Sequence, residues 1–152
     1  MKGYPRWFVP ALVGTLLLVF ASGVLLAPTT LVLRAELSLP WRLPGPARVG
    51  CAALHALGGS AVLALMGALW SVHMRSGWRR RQQRASGLVV GTLLLVLALS
   101  ALFVYYAGDD FAGFAAAMLH LVVGVSLAGP FAWHWFHGHR ASQARRAREA
   151  QR

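Results

Sequence analysis

The chain has 152 residues, of which 57% are hydrophobic and only 12% are charged. A soluble domain typically carries about 25% charged residues, and here the charged residues are confined to a few short stretches. The length leaves room for one domain. This composition excludes an ordinary soluble domain and predicts an integral membrane protein.

The net charge of +11 and the single cysteine exclude further classes of protein. The basic residues lie between apolar runs, so lipid headgroups and membrane topology explain them better than a nucleic-acid partner does. Because Cys51 has no second cysteine, an intrachain disulfide, a cysteine-based zinc site and the attachment of c-type haem are all excluded. We therefore expect the lipid bilayer as a partner and no nucleic acid.

Four long apolar windows separate the charged stretches, and each can hold one helix of the roughly 20 residues that cross a bilayer. Backbone groups find no water in hydrocarbon, so helices are the expected structure. The predicted spans are residues 7–33, 49–74, 86–107 and 112–136. The sequence thus predicts an all-α, up-down-up-down four-helix bundle over residues 1–139, followed by a basic tail over residues 140–152.

The distribution of basic residues predicts the orientation of the bundle. Basic residues accumulate on the cytoplasmic side of a membrane. The N-terminus, the connection over residues 75–84 and the tail are rich in Lys and Arg, whereas the short connection that holds Asp109 and Asp110 has none. We therefore expect both termini to be cytoplasmic, in a bacterial-type inner membrane.

Four of the six histidines lie within or at the ends of the second and fourth spans: His55, His73, His120 and His134. At about 100° per residue, the 18 residues from His55 to His73 complete about five turns. The 14 residues from His120 to His134 fall about 40° short of four turns. Each pair therefore shares one face of its helix. Since both spans run in the same direction, His55 lies level with His120, and His73 lies level with His134.

Two pairs of histidines at two depths are what bis-histidine coordination of two b-type haems requires. Glycines near the histidines, Gly58, Gly59, Gly124 and Gly129, either give space to a porphyrin or pack helices together. Arg48 and Arg75 bracket the second span, where they either pair with haem propionates or only set the topology. Each histidine taken alone is also compatible with a simple packing role.

The unequal spacings leave the inner ligand open. The mismatch between 18 and 14 residues amounts to about 6 Å of helical rise. A bend at Pro130 would absorb it; otherwise His137 replaces His134. We favour His134, because His137 points about 100° away from the face shared with His120. A single haem in place of two remains an open alternative.

On the four histidines of the second and fourth spans, the chain resembles small four-helix cytochrome b subunits, akin to the gamma subunits of formate dehydrogenases and the cytochrome b subunits of nickel–iron hydrogenases. The resemblance implies electron transfer across the membrane between a redox partner and quinone. It also implies a subunit of an oxidoreductase complex rather than a stand-alone enzyme. The alternative is a haem-free membrane anchor or assembly subunit, which would need nothing from the histidines.

Overall fold

The computed structural model describes residues 4–70, 74–79 and 83–151 of the chain. Helices make up its regular secondary structure, and none of these described residues lies in a β-strand. The helices are α1 (Phe8–Ala35), α2 (Gly45–Leu69), α3 (Arg75–Arg79), α4 (Arg84–Tyr106), α5 (Asp110–Ser126) and α6 (Ala128–Ala150).

Four helical segments are long and apolar enough to cross a membrane: Phe8–Ala35, Gly45–Leu69, Arg84–Tyr106 and Asp110–Ala141. The fourth segment joins α5 to the first part of α6. Large apolar side chains are exposed on all four segments, as expected for surfaces that contact lipid. The prediction of an all-α membrane protein with four spans is confirmed. Which side of the membrane holds the termini stays a prediction.

Local sequence explains where the spans begin and end. Helix α1 stops at Glu36, which adopts the left-handed conformation with φ of 54°, and the prolines that follow cannot continue a helix. Helix α5 begins at an N-cap, where the Asp109 carboxylate accepts a hydrogen bond of 2.7 Å from the backbone N–H of Ala112. Such caps stabilise a helix start by about 1 kcal/mol.

The fourth span is interrupted at Leu127, between α5 and α6. Sequence analysis placed a bend at Pro130, and the interruption begins three residues earlier. Proline has no N–H, and its ring clashes with the carbonyl four residues before it. The carbonyl affected is that of Ser126, so the disturbance appears where α5 ends.

The helices form two hairpins, α1 with α2 and α4 with α5 and α6. The hairpins meet mainly through α1 and α5, whereas α2 and α5 do not pack closely within the described part of the chain. We call the end of the bundle that carries the α1–α2 and α4–α5 connections the first-loop end. Among the residues whose burial is described, the buried polar ones all lie on α1 and α4: Ser22, Thr29, Ser86 and Ser100.

Candidate functional site

Three buried serines each hold the imidazole of a histidine on a neighbouring helix. In every case Nδ1 of the histidine and Oγ of the serine are within 3.0 Å. The serines are between 4% and 7% exposed, so water does not compete strongly for these hydrogen bonds. The pairs are Ser22 with His55, Ser100 with His120, and Ser86 with His134.

Backbone carbonyls determine which ring nitrogen carries the proton in two of these histidines. Nδ1 of His55 lies 3.1 Å from the carbonyl oxygen of Val19, and Nδ1 of His120 lies 3.1 Å from that of Leu97. A carbonyl only accepts hydrogen bonds, so Nδ1 must carry the proton in both histidines. Nε2 then keeps its lone pair. A metal-binding histidine has this arrangement, with the second ring nitrogen donating to a carbonyl or another acceptor.

The serine hydroxyls are arranged to accept from these rings. Ser22 donates its own proton within α1, to the carbonyl of Leu18 at 2.7 Å. Ser100 does the same within α4, to the carbonyl of Leu97 at 3.1 Å. Each hydroxyl oxygen keeps lone pairs for the Nδ1–H of its histidine. Both serines thus favour the same tautomer as the carbonyls do.

The imidazoles of His55 and His120 meet across the gap between α2 and α5. Their ring centroids are 6.0 Å apart, and the ring planes are nearly perpendicular at 77°. Two imidazoles that bind one metal ion from opposite sides, through bonds of about 2 Å, have ring centres about 6 Å apart. The separation therefore suits one metal ion between two histidine ligands.

Two Ser-Gly sequences lie beside the histidine rings. Gly23 follows Ser22, and a Cβ built on it would be 3.0 Å from Cε1 of His55. Gly87 follows Ser86, and a Cβ there would be 3.6 Å from Cε1 of His134. The absent side chain at Gly23 lets the imidazole lie against α1 while Nδ1 reaches the serine. At Gly87 the contact would be an ordinary one.

The glycines noted from sequence divide between the two roles considered for them. A Cβ on Gly58 would lie 2.7 Å from a methyl group of Val19, so Gly58 serves the packing of α2 on α1. Around Gly59 and Gly129, a Cβ would meet nothing within 4 Å. Gly124 would make an ordinary contact of 3.7 Å with Leu97. Of these four glycines, Gly59 and Gly129 face open space.

The other predicted site residues are placed as follows. His73 lies outside the described residues. Arg48 is half-exposed near the beginning of α2, and Arg75 is exposed at the beginning of α3. His137 is exposed, and its Nδ1 lies 3.2 Å from the carbonyl of Trp133 in its own helix. His134, in contrast, is half-buried against α4, which favours it over His137 as an interior ligand.

Clusters of three or more metal-binding side chains do not occur within the described ranges 4–70, 74–79 and 83–151. The candidate ligands come as single histidines or pairs.

Sequence analysis missed the three serines, although a signal for two of them is present. The heptapeptide Val-Gly-Thr-Leu-Leu-Leu-Val occurs twice, at residues 13–19 in α1 and 90–96 in α4. Ser22 follows the first copy by three residues, and Ser100 follows the second by four. The repetition indicates that α1 and α4 are equivalent helices of two similar hairpins.

Comparison of the chain with family models, curated proteins and solved structures gave no match. What the site does must be argued from the residues of this chain.

Proposed function

We propose that the protein is a membrane b-type cytochrome that transfers electrons across the bilayer between a redox partner and quinone. The observation that carries the proposal is the pair of imidazoles from α2 and α5, with ring centroids 6.0 Å apart. These two helices do not otherwise pack closely in the described part of the chain. A flat cofactor bound between the two rings requires that α2 and α5, which carry its ligands, stay apart.

The surroundings of the pair support a haem rather than a simple packing role. A histidine that only fills a packing role can use either ring nitrogen, whereas a ligand needs one nitrogen kept free of protons. Val19 and Leu97 supply the carbonyls that place the proton on Nδ1 of His55 and His120. Open space beside Gly59, one turn from His55, gives room on the same face of α2.

The other end of the bundle repeats the same elements. Ser86 and Ser100 are 14 residues apart on α4, and His134 and His120 are also 14 residues apart on the antiparallel α5 and α6. The two serines of α4 thus have the same spacing as the two histidines of α5 and α6 with which they pair. We propose a second haem between His134 and His73, with the role of His73 predicted from its spacing alone. A single haem at His55 and His120 is the narrower form of this proposal.

Two haems at these levels would lie at two depths of the membrane. The 14 residues between His120 and His134 correspond to about 21 Å of helix, and the hydrocarbon core is about 30 Å thick. A bound haem supplies a one-electron carrier, and the chain's role is to hold the carriers within one bundle. We propose that the protein is an electron-transfer subunit rather than a stand-alone enzyme. Its partner would be a redox subunit or a cytochrome, and its location a bacterial-type inner membrane.

A visible spectrum of the purified protein tests the proposal directly. The full chain is expressed with adequate haem supply, purified in mild detergent and measured reduced minus oxidised, with haem per chain from the pyridine haemochrome. Two b-type haems per chain support the full proposal, and one haem supports the narrower form. A folded, helical protein without haem would contradict both forms and favour a haem-free anchor or assembly subunit.

Histidine variants then assign the ligands. We expect His55→Ala and His120→Ala to lose the same haem, because the two rings share one site. The control is His137→Ala, which removes an exposed imidazole bonded within its own helix and is expected to keep the full haem content. Equal haem content in all three variants would contradict the assignment of the pair.

A further inference from the structure

The side chain of Arg34 reaches from the last turn of α1 onto α5. Its guanidinium lies over Gly113, so close that a Cβ built on that glycine would be 3.2 Å from Nη1. Gly113 is itself buried. A side chain at this position would displace the guanidinium, so the absence of one at Gly113 allows Arg34 to pack directly on α5.

The contact between Arg34 and Gly113 can be located along the bundle relative to His55 and His120. Gly113 precedes His120 by seven residues on α5, and Arg48 precedes His55 by seven residues on α2. Seven residues are about two turns, which keep the same face and advance about 10 Å along the helix. Both helices run away from the first-loop end. Two cations therefore lie at one level, about two turns from the histidine pair toward the first-loop end.

A buried hydroxyl lies at the same level on α1. Thr29 follows Ser22 by seven residues and is 5% exposed. Its Oγ1 is buried and has no hydrogen-bond partner among the residues that the structure describes. A buried hydroxyl without a partner is unfavourable. The level thus combines the guanidinium of Arg34, the helical position of Arg48 and a hydroxyl that still needs a partner.

Negative charge is favoured beside the guanidinium of Arg34. The guanidinium lies over the first turns of α5, where the helix macrodipole is positive and favours negative charge. The first turn of α5 carries Asp110, and the capping carboxylate, that of Asp109, accepts a hydrogen bond from the backbone N–H of Ala112. A cation held at the positive end of a helix is stabilised when an anion binds to both.

We propose that Arg34 and Arg48 bind the two propionate carboxylates of the haem held by His55 and His120, and that Thr29 donates a hydrogen bond to one of them. This inference rests on the proposed function. Arginine is suited to the role, because its guanidinium binds a carboxylate through two parallel hydrogen bonds. Propionates extend from one edge of the macrocycle, so both cations are needed at one level and on one side of the ligands.

The test is Arg34→Gln in the full-length protein, with the midpoint potential of each haem measured by redox titration. The affected haem is identified as the one that His55→Ala removes. Loss of a cation beside the propionates favours ferric over ferrous iron, so we expect that haem alone to shift to lower potential. The expected change in its reduction equilibrium is up to about tenfold, or 59 mV for one electron. Arg34→Lys, which keeps the charge, should restore most of the potential.

Arg42→Gln is the matched control, because it removes the same charge at the same end of the protein from an exposed residue of the α1–α2 connection. We expect it to leave both potentials unchanged. If Arg34→Gln and Arg42→Gln behave alike while the wild type contains haem, the inference is wrong and the proposed function stands. An unchanged potential with loss of bound anionic lipid would assign Arg34 to a lipid phosphate and also overturn it. A wild type without haem would instead refute the proposed function.

Discussion

The hydrogen bond between Ser100 and His120 gives the sharpest test of the site, through the variant Ser100→Ala. The hydroxyl lies 3.0 Å from Nδ1, in a position that is 4% exposed. Water is therefore a poor replacement for it. The carbonyl of Leu97 remains 3.1 Å from the same nitrogen, so we expect the ring to keep its tautomer and lose only one of two acceptors.

The expected magnitude follows from what is lost. One hydrogen bond contributes about 0.5–1.5 kcal/mol to stability, so the unfolding midpoint should fall without loss of the fold. Loss of a group that orients a metal ligand typically weakens metal binding about 10- to 100-fold. We expect the lower end of this range for haem, because Leu97 still holds the ring. With less electron donation from the imidazole, the potential of that haem should rise by less than about 59 mV, the value for a tenfold change.

The assay is a haem titration of the apoprotein in detergent, combined with a redox titration of the loaded protein. Ser126→Ala is the control, because Ser126 is exposed on the same helix as His120 and its hydroxyl bonds only to the carbonyl of Val122. If Ser100→Ala and Ser126→Ala give the same haem affinity and the same potential, Ser100 does not position a ligand. The argument from Nδ1 would then fail, even if the protein binds haem.

Substitutions at four further positions test the packing of α2 on α1, the positioning of a ligand and the cap of α5. In the haem-free protein, Gly58→Ala places a Cβ 2.7 Å from an α1 side chain and should cost about 1–3 kcal/mol in unfolding free energy. Gly59→Ala meets nothing within 4 Å and should not lower the thermal midpoint of the haem-free protein, because alanine favours a helix more than glycine does; equal midpoints would contradict this packing. Gly23→Ala brings a Cβ 3.0 Å from the His55 ring and should alter the spectrum of that haem more than the global stability, while a wild-type spectrum would show that the ring has room to move. Asp109→Ala removes the cap of α5 and should lower unfolding free energy by about 1 kcal/mol, with Asp109→Asn expected to retain most of it.

Sequence reasoning predicted four helices long enough to cross a membrane, because bilayer thickness imposes a length on every apolar window. It also predicted that His55 and His120 would meet, because helical periodicity and chain direction together fix face and depth. The interruption at Leu127 was placed late, at Pro130, since a proline acts on the carbonyl of the preceding turn rather than on its own position.

The choice of neighbouring helices was beyond that reasoning. Spans that are apolar on every side carry little amphipathic signal to say which face meets which helix. The three serines were missed because a serine in an apolar span is equally compatible with a hydrogen bond to the backbone of its own helix. Ser22 does both, donating to the carbonyl of Leu18 and lying 3.0 Å from Nδ1 of His55. The hydrogen bond to His55 becomes visible only when the packing of α1 on α2 is known.

The arrangement of the hairpins links cofactor binding to assembly of the bundle. In each hairpin, a serine and the carbonyl three residues before it fix one histidine of the next helix: Ser22 and Val19 for His55, Ser100 and Leu97 for His120. Each hairpin therefore orients its own ligand through contacts made within that hairpin.

The contact between the hairpins runs mainly through α1 and α5, and α2 reaches α5 through the paired imidazoles. A ligand that binds both rings adds a bridge which the helices alone do not make, so it must stabilise the assembled bundle over separated hairpins. At a free concentration 100 times its dissociation constant, such a ligand adds about 2.7 kcal/mol. Haem should therefore raise the thermal midpoint of the wild type, and His120→Ala should lose the part of this increase that comes from the haem of His55 and His120 while keeping two intact hairpins.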